Sequence, residues 1–194
     1  GVAAEPTTTA EESNLLCDSD SYSTIKGDWA YDAGDCSLEN TNSGSGNIVW
    51  WGSADGLTPD DSFDDDSFTM TATLEIHSGQ DSGFMFRTGE SSTTNDEGPT
   101  YYVGLYPASN KVVFGTMDNG WSAKHSAAVA LQYDQVYTLS VMGSGDLYTV
   151  YIDGVAVLED ITRTEFGSGS IGLRTYNAPT TYYSLVYTES ATNE

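Results

Sequence analysis

Positive charge is what this chain has least of. Its 194 residues carry six Lys and Arg against 29 Asp and Glu, a formal net charge of −23. The field around such a chain repels phosphate backbones and anionic headgroups, which excludes nucleic acid and acidic membrane surfaces as partners. Basic proteins, neutral sugars and Ca2+ remain. Long apolar runs are also missing: no stretch reaches the roughly 18 residues that a membrane-spanning helix needs. Cysteine is limited to Cys17 and Cys36. There is no Cys-x-x-Cys pair, and His77 and His125 lie far away in sequence, so no zinc site is expected. A disulfide between the two cysteines would close a loop of about 20 residues and stabilise by about 3 kcal/mol. It would imply an oxidising compartment, extracellular or another oxidising lumen; two free thiols are the competing reading. The chain opens on Gly1 rather than Met, as expected of a trimmed product. Nucleophile motifs are absent too, with no Gly-x-Ser-x-Gly in the sequence.

What is present is the material of strands and turns. Tyrosine occurs 13 times and glycine 20 times. Tyr, Thr, Val and Phe suit pleated, half-buried surfaces, and Gly suits tight turns. Residues 67–76 (SFTMTATLEI) place Phe68, Met70, Ala72, Leu74 and Ile76 on one face, the cleanest period-two signal in the chain. Further strands are expected at GFMFRT, YYVGLY, KVVFGTM, VYTLSVM, LYTVYI, SIGLRTY and YYSLVY. Gly143-Ser144-Gly145-Asp146 and Asp153-Gly154 read as hairpin turns. No segment carries an apolar stripe of helical period. The expected fold is all-β, a two-sheet antiparallel jelly-roll sandwich over residues 21–190. Residues 1–20 read as an acidic polar tail or linker ahead of it, with the cysteine loop beside it.

The succession SFTMTATLEI, GFMFR, TYYVGLYP, KVVFGTMDNGW, YTLSVMGSGDLYTVYIDGV and FGSGSIGLRTYNAPTTYYSLVY resembles the concanavalin A-like lectin/glucanase sandwiches. It is most similar to carbohydrate-binding modules of secreted fructan and other glycoside hydrolases, the levan-binding type included. The likeness covers about four-fifths of the chain. It implies an antiparallel sandwich and a role in sugar binding, glycoside hydrolysis or protein adhesion, among which fold alone does not choose. It also implies that Arg87, in the GFMFR strand, occupies a position that binds sugar in those modules.

Glycosidases of this fold carry two carboxylates on one strand face, and hydrolysis needs them at a defined separation. The nearest candidate run, Glu159 to Glu165, has the wrong spacing, so no enzyme is expected. A binding protein is expected instead, for a neutral oligo- or polysaccharide or for another protein of an extracellular assembly. Arg87, Arg163 and Arg174 are the only arginines. Strict alternation puts Phe84 and Phe86 on one face and Met85 and Arg87 on the other; likewise Ile171 and Leu173 oppose Arg174 and Tyr176. If the apolar faces are core, Arg87 and Arg174 share the hollow outer face, where guanidinium forks suit sugar hydroxyls. Surface Arg–Asp pairs are the alternative. Tyr102 is expected on that outer face, opposite in parity to Tyr101. Trp121, in the turn MDNGWS beside Asp118, is a candidate stacking platform, or else a cap on the core. The acidic loop 60–66 makes Asp60, Asp61 and Asp64 candidate ligands for a structural Ca2+, with a solvated loop as the alternative.

Overall fold

The computed structural model describes residues 13–90 and 98–190. Among these residues it has fourteen strands and no α-helix: β1 (Ser23–Lys26), β2 (Trp29–Asp32), β3 (Ser37–Asn40), β4 (Asn47–Trp50), β5 (Ser67–Ile76), β6 (Asp81–Thr88), β7 (Thr100–Tyr106), β8 (Lys111–Met117), β9 (Trp121–Ala128), β10 (Val136–Ser144), β11 (Leu147–Ile152), β12 (Val155–Thr162), β13 (Ser170–Tyr176) and β14 (Thr180–Glu189). They pair antiparallel into two seven-stranded sheets. The first runs β1-β4-β13-β6-β7-β8-β9 and the second β12-β11-β10-β5-β14-β3-β2. The expected jelly-roll sandwich is thus the observed architecture. No described helix is long and apolar enough to cross a membrane.

Alternation builds the core. On β5 the buried residues are Phe68, Met70, Ala72, Leu74 and Ile76, while the residues between them face out. Phe84, Phe86, Tyr101, Val103, Phe114, Leu139, Val141, Tyr148, Ile171 and Leu173 meet them from both sheets. The β11–β12 turn is closed by Asp153 and Gly154, both at positive φ (50° and 76°), which matches the twist of a two-residue hairpin.

Cys17 and Cys36 form a disulfide. Residues 1–12 of the expected tail lie outside the described residues. The remainder of 1–20 packs on the sandwich: Leu15–Cys17 form a 3-10 turn, Leu16 is fully buried in the core, and Asn14 bonds to both Tyr183 and Leu185 of β14. Two adjacent leucines in a polar stretch carry no period, so the sequence signalled none of this.

Candidate functional site

The outer face of the first sheet carries a second apolar cluster, separate from the core, made of Ile48, Trp50, Met85, Tyr102 and Met117 with Ile25 and Trp121 against it. Cross-strand register explains it. Met85 pairs with both Tyr102 and Gly172, Gly172 with Trp50, and Tyr102 with Gly115. Glycine makes room for the rings. A Cβ on Gly104 would lie 2.5 Å from the Tyr102 hydroxyl, and one on Gly115 would strike the Trp121 indole. The two rings therefore lie down on the sheet and meet edge to face, with centroids 5.6 Å apart. Of the adjacent tryptophans, Trp51 enters the core and Trp50 this outer cluster.

Beside the cluster sits a buried polar network. Arg174 Nη1 donates to Asp81 Oδ1 at 3.1 Å, and the two side chains are only 3% and 5% exposed. Tyr102 donates its hydroxyl to the same oxygen at 2.7 Å. Burial, and then the Asp81 charge, hold the Tyr102 hydroxyl well above its ordinary pKa, so it remains a donor. The Arg174 guanidinium lies 4.9 Å from the Tyr102 ring centroid and 5.1 Å from that of Tyr176.

This network opens into a cavity of about 340 Å3. Asp81, Arg174, Tyr176 and Trp121 line it together with Gln80, Tyr106 and Ser109. The arrangement offers a charged fork, an acceptor and flat apolar rings to one small polar ligand.

Four of the expected site residues are thus brought together: Tyr102, Trp121, Arg174 and Tyr176. Asp118 is not among them; it sits exposed at the β8–β9 turn, accepting a bond from the Asn119 side chain. Asp81 was missed, although it shares alternation parity with Gly83 and Met85 and pairs in register with Tyr176. Its position at the very start of a strand hid that parity.

Arg87 corrects the expectation of two guanidinium groups on one outer face. Between Ser170 and Gly172 the β13–β6 register slips, so Phe86 and Arg87 together oppose Ile171. Arg87 takes a left-handed conformation, φ 50°, at this bulge. Its side chain turns inward between the layers, over Phe68 and Tyr148 at 5.9 and 5.5 Å. There it donates to the carbonyls of Gly145 (2.8 Å), Phe166 (3.4 Å) and Asp66 (3.5 Å), tying three loop ends together. At 4% exposure it is a buried tie within the sandwich.

The acidic loop, where Ca2+ ligands were expected, is organised by its own hydrogen bonds. Asp60 caps the 3-10 turn Asp61–Phe63 by accepting from the Ser62 amide at 2.9 Å, and Asp64 accepts from the Gly169 amide at 3.3 Å. Asp60, Asp61 and Asp64 do not bring three donor atoms within 4.8 Å of one another.

No family model matches the chain, and no curated protein matches it in sequence. Solved structures do match. The carbohydrate-binding module CBM66 from Bacillus subtilis superposes with TM-score 0.72 at 18% identity, over 88% of this chain and 96% of that one. A Bacillus subtilis protein of unknown function with a galectin-like fold gives TM-score 0.68 at 15% identity, covering 91% and 93%. The galectin LEC-6 of Caenorhabditis elegans gives 0.54 at 14%, covering 79% and 96%. The chain therefore has the concanavalin A-like, galectin-like sandwich fold of these structures.

Proposed function

We propose that the cavity on the outer face of the first sheet binds a neutral oligo- or polysaccharide without catalysing a reaction, and that the protein works outside the cell or in another oxidising lumen. One observation carries the reading: a buried Asp81–Arg174–Tyr102 network meets the rings of Trp121 and Tyr176 around a single cavity. Burying an ion pair costs several kcal/mol per ion before its attraction offsets the loss. This pair lies outside the core between the sheets, where packing the sandwich has no need of it. Sugars present apolar C–H faces to aromatic rings and hydroxyls to fixed donors and acceptors. The fold shared with a carbohydrate-binding module and a galectin supports the same reading, and the disulfide supports the compartment.

The carboxylates around the cavity support the non-catalytic part of this reading. Among the described residues Asp81 is the one carboxylate lining the cavity, and it is engaged by Arg174 and Tyr102. The two-carboxylate route to glycoside hydrolysis needs a second at roughly 5–9.5 Å.

The test is calorimetric titration of the folded protein with fructans, β-glucans and algal polysaccharides. Binding to one class at millimolar sugar or below is expected. Trp121→Ala and Tyr176→Ala should each lower affinity roughly two- to tenfold, the worth of one aromatic contact. No binding to any class would overturn the proposal. A protein-interaction role would then stand in its place, read out as a complex larger than the monomer on size exclusion of native extract.

A further inference from the structure

A second group of side chains converges on the other sheet, far from any expectation raised by the sequence. Glu75 faces outward from β5, and His77 follows it at the next residue of the same parity. Asp134 arrives from the turn between β9 and β10. One donor atom from each lies within 4.8 Å of the others, and no other described group of three or more His, Cys, Asp or Glu does this. No zinc site was expected because the histidines lie far from the cysteines. That reasoning missed a histidine assembled with Glu75 beside it and with Asp134, 57 residues further along the chain.

We infer that Glu75, His77 and Asp134 form a surface binding site for a divalent transition ion of the zinc type. The donors of His77 and Glu75 are aimed by partners outside the group, and the turn carrying Asp134 is pinned to the sheet. His77 Nε2 lies 3.0 Å from Thr181 Oγ1, which leaves Nδ1 facing Asp134 Oδ1 at 2.9 Å. Tyr183 donates its hydroxyl to Glu75 Oε2 at 2.5 Å. The turn that carries Asp134 is pinned by the Asp134 amide to the Ile76 carbonyl (2.9 Å) and by the Tyr133 hydroxyl to the Gly79 carbonyl (2.7 Å). Metal-bound histidines have this arrangement, with the second ring nitrogen held by a hydrogen-bond partner that fixes orientation.

Thr181 suits both states of the ring. In the tautomer with the proton on Nδ1, that nitrogen donates to Asp134 and Nε2 accepts from the threonine hydroxyl. With metal, the proton sits on Nε2 and donates to the same hydroxyl, freeing the Nδ1 lone pair. A hydroxyl serves as donor or acceptor equally well.

Charge favours a dication. Neither Glu75 nor Asp134 forms an ion pair with Lys or Arg among the described residues. One imidazole and two carboxylates suit zinc, whereas Ca2+ wants six to eight oxygens. Tetrahedral zinc with ligands at about 2.0–2.2 Å places neighbouring donors roughly 3.3 Å apart. The site lies on the opposite sheet from the glycan cavity, so its test is independent of that proposal.

The experiment is calorimetric titration of chelator-stripped protein with ZnCl2 in a large excess of Mg2+, which occupies diffuse acidic sites. One zinc equivalent is expected above that background. His77→Ala and Asp134→Asn should each weaken it at least tenfold. Thr181→Val should weaken it roughly ten- to a hundredfold, as loss of a ligand's supporting bond does. Asp61→Asn in the acidic loop should leave it unchanged. Co2+ in place of zinc should give the strong visible absorption of a four-coordinate site, lost in His77→Ala. A wild-type protein that takes up no zinc above Mg2+ overturns the inference. So does a zinc step indifferent to His77→Ala, or a weak six-coordinate cobalt spectrum. The cobalt readout uses the wild-type protein, so it decides the matter even if a variant fails to fold.

Discussion

Removing the carboxylate of Asp81 is the sharpest single perturbation of this molecule. Asp81 and Arg174 are both nearly sealed from solvent, and Asp81 Oδ1 takes bonds from Arg174 and Tyr102 at once. Asp81→Asn leaves a guanidinium in a dry site without its counter-charge, which costs about 3–5 kcal/mol. Against a total stability of roughly 5–15 kcal/mol that is a large share. Tyr102→Phe removes one bond to a charged acceptor and should cost about 1.5–3 kcal/mol. The pair removed together, Asp81→Leu with Arg174→Met, should cost far less than the two single losses added, because no buried charge is left over. The assay is urea unfolding of these three variants and of Asp81→Leu and Arg174→Met singly, read as a shift in midpoint at unchanged slope. Single losses below about 1 kcal/mol, or a double variant whose loss equals their sum, would refute the reasoning. The double variant should also lose glycan binding while staying folded, which separates function from stability.

Three further outcomes are expected. Burial chiefly raises the hydroxyl pKa values of Tyr102, Tyr148, Tyr182 and Tyr187 above the usual 10.0, and burial, then Tyr31 and Asp18, pushes Tyr22 up to about 12. Because the folded values exceed the unfolded ones, this contribution to stability is whole below about pH 10 and is lost as pH rises through the folded values. Tyrosinate absorbance from these rings should appear together with loss of the sheet signal in circular dichroism; ionisation near pH 10 with the fold intact would contradict it. Gly115→Ala should lift the Trp121 indole off the sheet, change its fluorescence and weaken glycan binding, even though alanine is the better strand residue elsewhere. Replacing Cys17 and Cys36 with Ala should lower stability by about 3 kcal/mol in a denaturant titration, the loop-closure worth of such a bridge. It should also increase proteolysis near Leu16, whose segment the bridge ties to the strands.

The sequence by itself determined the architecture. Side chains alternate along a strand by local geometry, so the buried row of β5, the inward Phe84 and Phe86, and the outward Tyr102, Arg174 and Tyr176 were all readable from residue order. The Asp153-Gly154 hairpin was readable for the same reason, since turn chemistry is a property of two residues. Only the tertiary structure decided the aim of Arg87, because a bulge is a mismatch between two strands and leaves no mark on either one alone. Only it brought Asp81 to Arg174, bonded Asp60 and Asp64 to the amides of Ser62 and Gly169, buried Leu16, and carried Asp134 across to His77. Periodicity is written along the chain, whereas register and long-range contact arise only when separate strands are set side by side.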